Sequence, residues 1–232
     1  MSEIPRRRVW DLPVRLVHWL LVIAIAGSYA THKLGVAYFK YHLWFGYLVV
    51  VLAAFRILWG FFGTRHARFA KFLRGPGTTW NYLRALASGV AQPTPGHNPL
   101  GAWMVLFLLL SLLAQGITGL FANDEIFNTG PLYGYISDSL SLQLTSWHRR
   151  LFDWIFTAVV LHVLAVFAHR LLVGHDLVGP MISGRKPASL VAEHEAIGSS
   201  RLWLAVVLLA GVAGAMSWLV VQAPAPAVFS FE

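Results

Sequence analysis

The stretch SWHRRLFDWIFTAVVLHVLAVFAHR, residues 146–170, sets His148, His162 and His169 along a run that is otherwise mostly Leu, Val, Ile, Phe, Ala and Trp. Imidazole titrates near neutral pH and is the commonest metal ligand among side chains. Inside a membrane-length apolar run it is costly, and by default it marks a functional site. On one helix, the 14-residue spacing of His148 and His162 falls about 40° short of four full turns and spans about 21 Å along the axis. The two rings then face the same way at two depths. A catalytic dyad needs contact distance, and a single ion needs ligands about 2 Å from itself. Two cofactors stacked along the helix fit the spacing.

The elements that must position those rings show in the composition. The chain is 57% hydrophobic and 12% charged, with mean hydropathy +0.61, whereas a soluble domain carries about 25% charged residues. Apolar runs at about 16–34, 41–62, 100–122, 147–172 and 202–222 each approach or exceed the roughly 20 residues a helix needs to cross a bilayer. The expected fold is an all-α integral membrane protein. RRRVWDLPVR precedes the first run and no small-residue cleavage site follows it, so it reads as a retained span. The 232 residues contain no cysteine, which excludes disulfides, Cys-ligated iron–sulfur clusters and thioether-linked haem within them.

Charge placement orients the spans. If the five runs alternate, only Lys33, Lys40, Arg149 and Arg150 of the 18 Lys and Arg residues fall on one side. The rest lie before span 1, at the end of span 2 and in the loop after it, and between spans 4 and 5. The positive-inside rule then puts the N-terminus in the cytoplasm and the tail QAPAPAVFSFE outside. The basic pI reports this topology, and no nucleic-acid partner is called for. His18 begins span 1 near the inner surface, and His42 begins span 2 near the outer one. Span 4 enters from outside, so His148 is outer and His162 inner. Depth pairs His18 with His162 and His42 with His148. Two histidines per level from different helices is the arrangement for bis-imidazole haem iron in a helical bundle. The alternative is that each histidine only hydrogen-bonds across helices.

The remaining segments read more plainly. His32, His66, His97, His175 and His194 fall in loops or at their edges and are expected to be solvated. In the inner loop 63–99, Thr78 or Thr79 could cap a short interfacial helix bearing Trp80, Leu83 and Leu86. QPTPGHNP reads as an irregular connector. The outer loop 123–145 has Asp124, Glu125 and Asp138 but no Lys or Arg, a face for an outer partner or simply a solvated loop. Residues 183–200 read as a plain linker. No internal repeat is evident.

The segments RLVHW (15–19), YHLWFG (41–46) and SWHRR…LHVLAVFAHR resemble the bacterial cytochrome b561 and nickel-hydrogenase cytochrome b family over residues 8–186. The resemblance implies a four-helix transmembrane haem-binding bundle at 1–186, with two haem b groups passing electrons between a quinone and a partner. His18, His42, His148 and His162 would be the axial ligands. Residues 187–232 would add a linker, a fifth C-terminal transmembrane helix and a short outer tail. Minimal four-helix members lack that fifth span. Ala210, Gly214 and Trp218 lie on one of its faces, with Gly211 and Ala215 on a neighbouring one, and this suits docking of a partner or a second copy of the chain. Arg149 and Arg150 beside His148, and Arg15 one turn before His18, are candidates for haem propionates or ordinary interfacial anchors. Gly46, Gly116 and Gly119 could let a flat ring approach the backbone or serve plain helix packing. His169 could meet a propionate, relay a proton to a quinone, or be a surface histidine.

The leading expectation is a transmembrane electron carrier in the bacterial inner membrane, surrounded by membrane lipid, with quinone as substrate. The alternative is a membrane-anchor cytochrome b subunit of a periplasmic hydrogenase, dehydrogenase or cytochrome c complex. Whether the chain alone acts as a quinone oxidoreductase is left open by these residues. A proton-coupled transporter is a weaker third reading, because Asp153 is the one carboxylate clearly within a span.

Overall fold

The computed structural model describes residues 5–224 of the 232; the expected outer tail lies largely outside the described residues. Among the described residues eight α-helices run in the order α1 (Leu12–Lys33), α2 (Phe39–Phe62), α3 (Phe69–Phe72), α4 (Pro76–Ala87), α5 (Pro99–Leu120), α6 (Asp138–Leu172), α7 (Val178–Ser183) and α8 (Leu202–Val221). Strand β1 (Arg6–Arg8) pairs antiparallel with β2 (Arg185–Pro187). Five helices, α1, α2, α5, α6 and α8, are long and apolar enough to cross a membrane. Their exposed residues include Trp154, Leu164, Trp203 and Trp218. An apolar exterior of this kind fits lipid as the surrounding solvent.

Two helix starts differ from the sequence expectation. α6 begins at Asp138, ahead of the apolar run at 147. Its added turns, DSLSLQLTS, are hydroxyl-rich and invisible to hydropathy, yet their hydroxyls have a use. Ser141 Oγ donates to Phe121 O (2.7 Å), and Thr145 Oγ1 accepts from Asn123 N (2.9 Å). The acidic loop therefore ends at 137, not 145. α4 is capped by neither Thr78 nor Thr79. Gly75 is its N-cap and Pro76 its first residue, a position where the missing N–H costs nothing.

Contacts divide the chain into two compact units. One comprises the described parts of Met1–His18, Arg56–Leu109 and Thr157–Val206. Its centre is Asp11, which is 1% exposed. Asp11 Oδ1 accepts from Val14 N (2.7 Å) and so caps α1, while Oδ2 accepts from Trp59 Nε1 (3.0 Å) and Thr64 Oγ1. A buried carboxylate is tolerated only when hydrogen-bonded in this way. The same atoms tie the start of α1 to the end of α2. Buried Arg56 interacts electrostatically with Asp11 and lies over the Phe69 ring.

Residues 183–200, expected as a plain linker, are bound into this unit. Arg7 Nη1 donates to Val191 O (2.6 Å), Ile197 N to Arg8 O (3.0 Å), and Leu12 N to Ser200 Oγ (3.2 Å). Two histidines expected to be solvated are also enclosed. His66 is buried and its Nε2 pairs with Glu195 O (2.9 Å). His97 lies between Trp10 and Phe72, at ring-centroid distances of 4.6 and 4.5 Å. Hydropathy cannot see enclosure of this kind, because it comes from loops folding over one another.

The second unit comprises Trp19–Phe55, Leu110–Phe156 and the described part of Val207–Glu232. Val50, Leu120, Leu132 and Met216 form its buried cluster, so α8 packs here through Met216. Gly211 and Gly214 meet nothing within 4 Å.

Burial, and then the nearby cations Arg56 and Lys186, lower the pKa of His97 to about 3; burial also lowers that of His66. Both are neutral in the fold and become charged in the unfolded chain below about pH 6.5. The stability that His97 confers is complete above that pH and is lost as pH falls toward 3, and His66 acts in the same direction. Burial lowers Lys186 to about 8, so it is already charged at neutral pH and adds no slope below it. Thermal midpoints should therefore fall between pH 7 and pH 4.5, by at most about 1.4 kcal/mol per pH unit per histidine. His97→Phe should flatten that fall; an unchanged slope would locate the acid sensitivity elsewhere.

Candidate functional site

His42 projects from the first turn of α2 and His148 from α6, and their ring centroids lie 6.3 Å apart with planes at 85°. A separation of this size would leave room between the rings for one metal ion with bonds of about 2 Å to each. The outer nitrogens are already committed. His42 Nδ1 lies 2.9 Å from Ser28 O and 3.1 Å from Ser28 Oγ. His148 Nδ1 lies 2.8 Å from Gln115 O. A carbonyl oxygen can only accept, so each Nδ1 carries the hydrogen and each Nε2 keeps its lone pair. That is the tautomer a metal-binding imidazole needs, held by the backbone partner such ligands usually have. The Gln115 side-chain amide stands 3.3 Å from His148 Nε2, at the lone pair a metal would take.

The neighbours complete the arrangement. Thr118 Oγ1 stands 3.4 Å from His148 Nδ1. Phe39 stacks near His42 at 6.0 Å, and the exposed His32 lies 5.8 Å from it. Tyr29 on α1 stacks on Phe152 on α6, with centroids 5.4 Å apart. A Cβ on Gly119 would stand 2.7 Å from His148 Cε1, so this glycine lets the imidazole lie against α5. A Cβ on Gly116 would run into Val50, a helix-packing role. At Gly46 a Cβ would meet nothing within 4 Å, leaving bare backbone facing open space one turn after His42. Arg149 and Arg150 are exposed. Ser28, Gln115 and Thr118 were not singled out in the sequence; the signal was there in Gln115, an amide in the middle of an apolar span.

His18 on α1 and His162 on α6 belong to the other unit. Both are half-buried, and their imidazoles are close enough to interact electrostatically. Arg15 donates through Nη1 to Ile182 O, so it holds the C-terminal end of α7. His169 is buried. Its Nδ1 pairs with Ala165 O (3.0 Å), and its Nε2 faces Tyr82 Oη and Asn98 Nδ2, each at 3.2 Å. Among the described residues, no three His, Asp or Glu side chains gather as a bare metal ion would require.

The prokaryotic cytochrome b561 family matches residues 9–184. The chain belongs to this family. It is a multi-pass membrane cytochrome b, a helical bundle whose prosthetic group is haem b and whose business is electron transfer. A probable Ni/Fe-hydrogenase B-type cytochrome subunit of Cupriavidus necator is 26% identical over 209 residues, covering 76% of this chain and 85% of its own. Proteins of the same description from Azotobacter chroococcum and Azotobacter vinelandii are 22% and 24% identical, each over 76% of this chain and 86% of the relative. No solved structure matches significantly.

The Gly119 contact gives a test of the cytochrome. Gly119→Ala should push the His148 ring away from α5 and reduce bound haem, while Gly46→Ala, facing open space in the protein alone, should leave helix packing intact. Haem content per chain and the reduced visible spectrum of each variant check this; full haem occupancy in Gly119→Ala would show that the ring position is not needed.

Proposed function

We propose that the chain carries electrons across the bacterial inner membrane between quinone and a redox partner, using two haem b groups, one held by His42 and His148 and one by His18 and His162. The observation that carries this reading is the 6.3 Å separation of the His42 and His148 rings, with both Nδ1 atoms bonded to backbone carbonyls. The second pair is supported by the grouping of His18 and His162 in one compact unit. Bound haem supplies a one-electron couple. The chain's residues hold and tune it. Each Nδ1–H bonded to a carbonyl makes its imidazole a stronger donor, which favours the oxidised metal. Apolar helices exclude water and so lower the local dielectric.

For the quinone, the buried cluster of His169, Tyr82 and Asn98 offers a group able to exchange a proton beside the hydroxyl and amide that orient it. Arg149 and Arg150 stay candidates for the propionates at the His148 level, and Arg15 at the His18 level. The N-terminus is assigned to the cytoplasm and the C-terminus to the periplasm, on the charge asymmetry alone. A periplasmic oxidoreductase subunit or cytochrome is the proposed partner, through the acidic 121–137 loop. The names of the relatives favour a second reading, the membrane-anchor subunit of a hydrogenase. The readings separate on whether the purified chain alone is reduced by a quinol. The small residues of α8 suit a helix–helix contact with such a partner or with a second copy.

The pairing is tested by replacing the ligands singly. His18→Ala and His162→Ala should remove one spectral and redox component, and His42→Ala and His148→Ala the other, each leaving about half the haem in chains that still insert. Loss of the same component in His18→Ala and His148→Ala would overturn the pairing. For orientation, a reporter after Pro95 should be active in the cytoplasm and one after Glu232 in the periplasm, and the opposite pattern would invert the assignment.

A further inference from the structure

Where α2 ends and α8 begins, the protein forms a hollow of about 470 Å³ lined by Arg65, Arg68, Lys71, His194, Ser199 and Arg201, with no carboxylate in its lining. Converging guanidinium and ammonium groups repel one another unless an anion lies between them. The cations are only partly used within the chain. Arg65 donates from Nη1 to His194 O (2.9 Å), and Arg201 from Nη1 to Phe62 O (3.4 Å). Arg68 Nε is buried and makes no hydrogen bond among the described residues. Arg201 also holds a left-handed backbone, φ +48°, an unfavourable conformation for a residue with a Cβ, and it directly precedes the first turn of α8.

The rim decides what kind of anion fits. Phe61 and Phe62 end α2, while Leu202 and Trp203 begin α8, and all four are exposed, Trp203 at 80%. A soluble phosphate has no use for an apolar rim. An amphiphile does, since its head needs the cations and its tails need the exposed rings beside the spans. A zwitterionic head would bring its own cation among the arginines. Basic hollows at the ends of transmembrane helices are suited to anionic headgroups. We propose that this hollow binds the phosphate of an anionic phospholipid such as phosphatidylglycerol, whose acyl chains lie along Phe61, Phe62 and Trp203. The lipid offsets the charge repulsion and joins the start of the fifth span to the end of the second.

The test uses the full-length, haem-loaded protein, stripped of lipid in an uncharged detergent. Thermal midpoints are followed while phosphatidylglycerol, phosphatidylcholine or inorganic phosphate is added. Phosphatidylglycerol should raise the midpoint saturably, and the other two should not at the same concentration. Arg68→Gln and Lys71→Gln should each weaken the apparent affinity about fivefold, the weight of one lost cation near a membrane surface. Arg74→Gln, an exposed cation of the same loop outside the hollow, should leave it unchanged. Lys71 is exposed, so its replacement tests binding without threatening the fold. An equal response to phosphatidylcholine would overturn the proposal, as would inorganic phosphate matching phosphatidylglycerol. So would an Arg74→Gln variant as impaired as Arg68→Gln, which would mean a diffuse basic surface.

Discussion

An imidazole in an apolar span must find a partner for each ring nitrogen, and much of this protein is arranged around that requirement. In the His42–His148 pair the requirement is met asymmetrically. Backbone carbonyls of Ser28 and Gln115 take both Nδ1–H groups, so neither Nε2 carries the hydrogen, and that of His148 faces the Gln115 amide at 3.3 Å. The carbonyls come from α1 and α5, and the histidines from α2 and α6. Four helices are therefore bound to one another through two rings, and the glycine opposite His148 follows from the same demand, since any side chain there would displace the ring.

At the His18–His162 unit the organising interaction is a different one. Asp11 caps α1 and accepts hydrogen bonds from Trp59 and Thr64, fixing where α1 starts and hence where His18 stands on it. The β1–β2 pair and the chain through Ser200 then close over the same region. This explains why residues of unremarkable polarity, such as 183–200, are bound tightly. They satisfy the backbone groups at helix ends that would otherwise be left without partners.

The cations of the chain divide in a similar way. Some Lys and Arg sit exposed, as Arg149 and Arg150 do. Others work at short range, with Arg15 on Ile182, Arg7 on Val191 and Lys186 on Thr94. Counting charges does not distinguish a residue that sits exposed from one that holds a loop carbonyl.

The sequence by itself determined the membrane class, the five spans and the family, because each is a property of local composition or spacing: apolar runs of bilayer length, and histidines close to four turns apart. It also yielded the pairing of His18 with His162 and His42 with His148 as an expectation, since alternation of spans converts sequence position into depth. Other features were decided by the tertiary structure alone. The extra turns of α6 are held by hydroxyls bonding to a loop distant in sequence. The enclosure of His66 and His97, the buried contacts of His169 and the order in 183–200 likewise come from segments far apart in the chain. Ser28 and Gln115 hold their imidazoles through main-chain carbonyls, atoms every residue has. No pattern of side-chain types can reveal which carbonyl will meet which ring; only the packing of the helices brings them together.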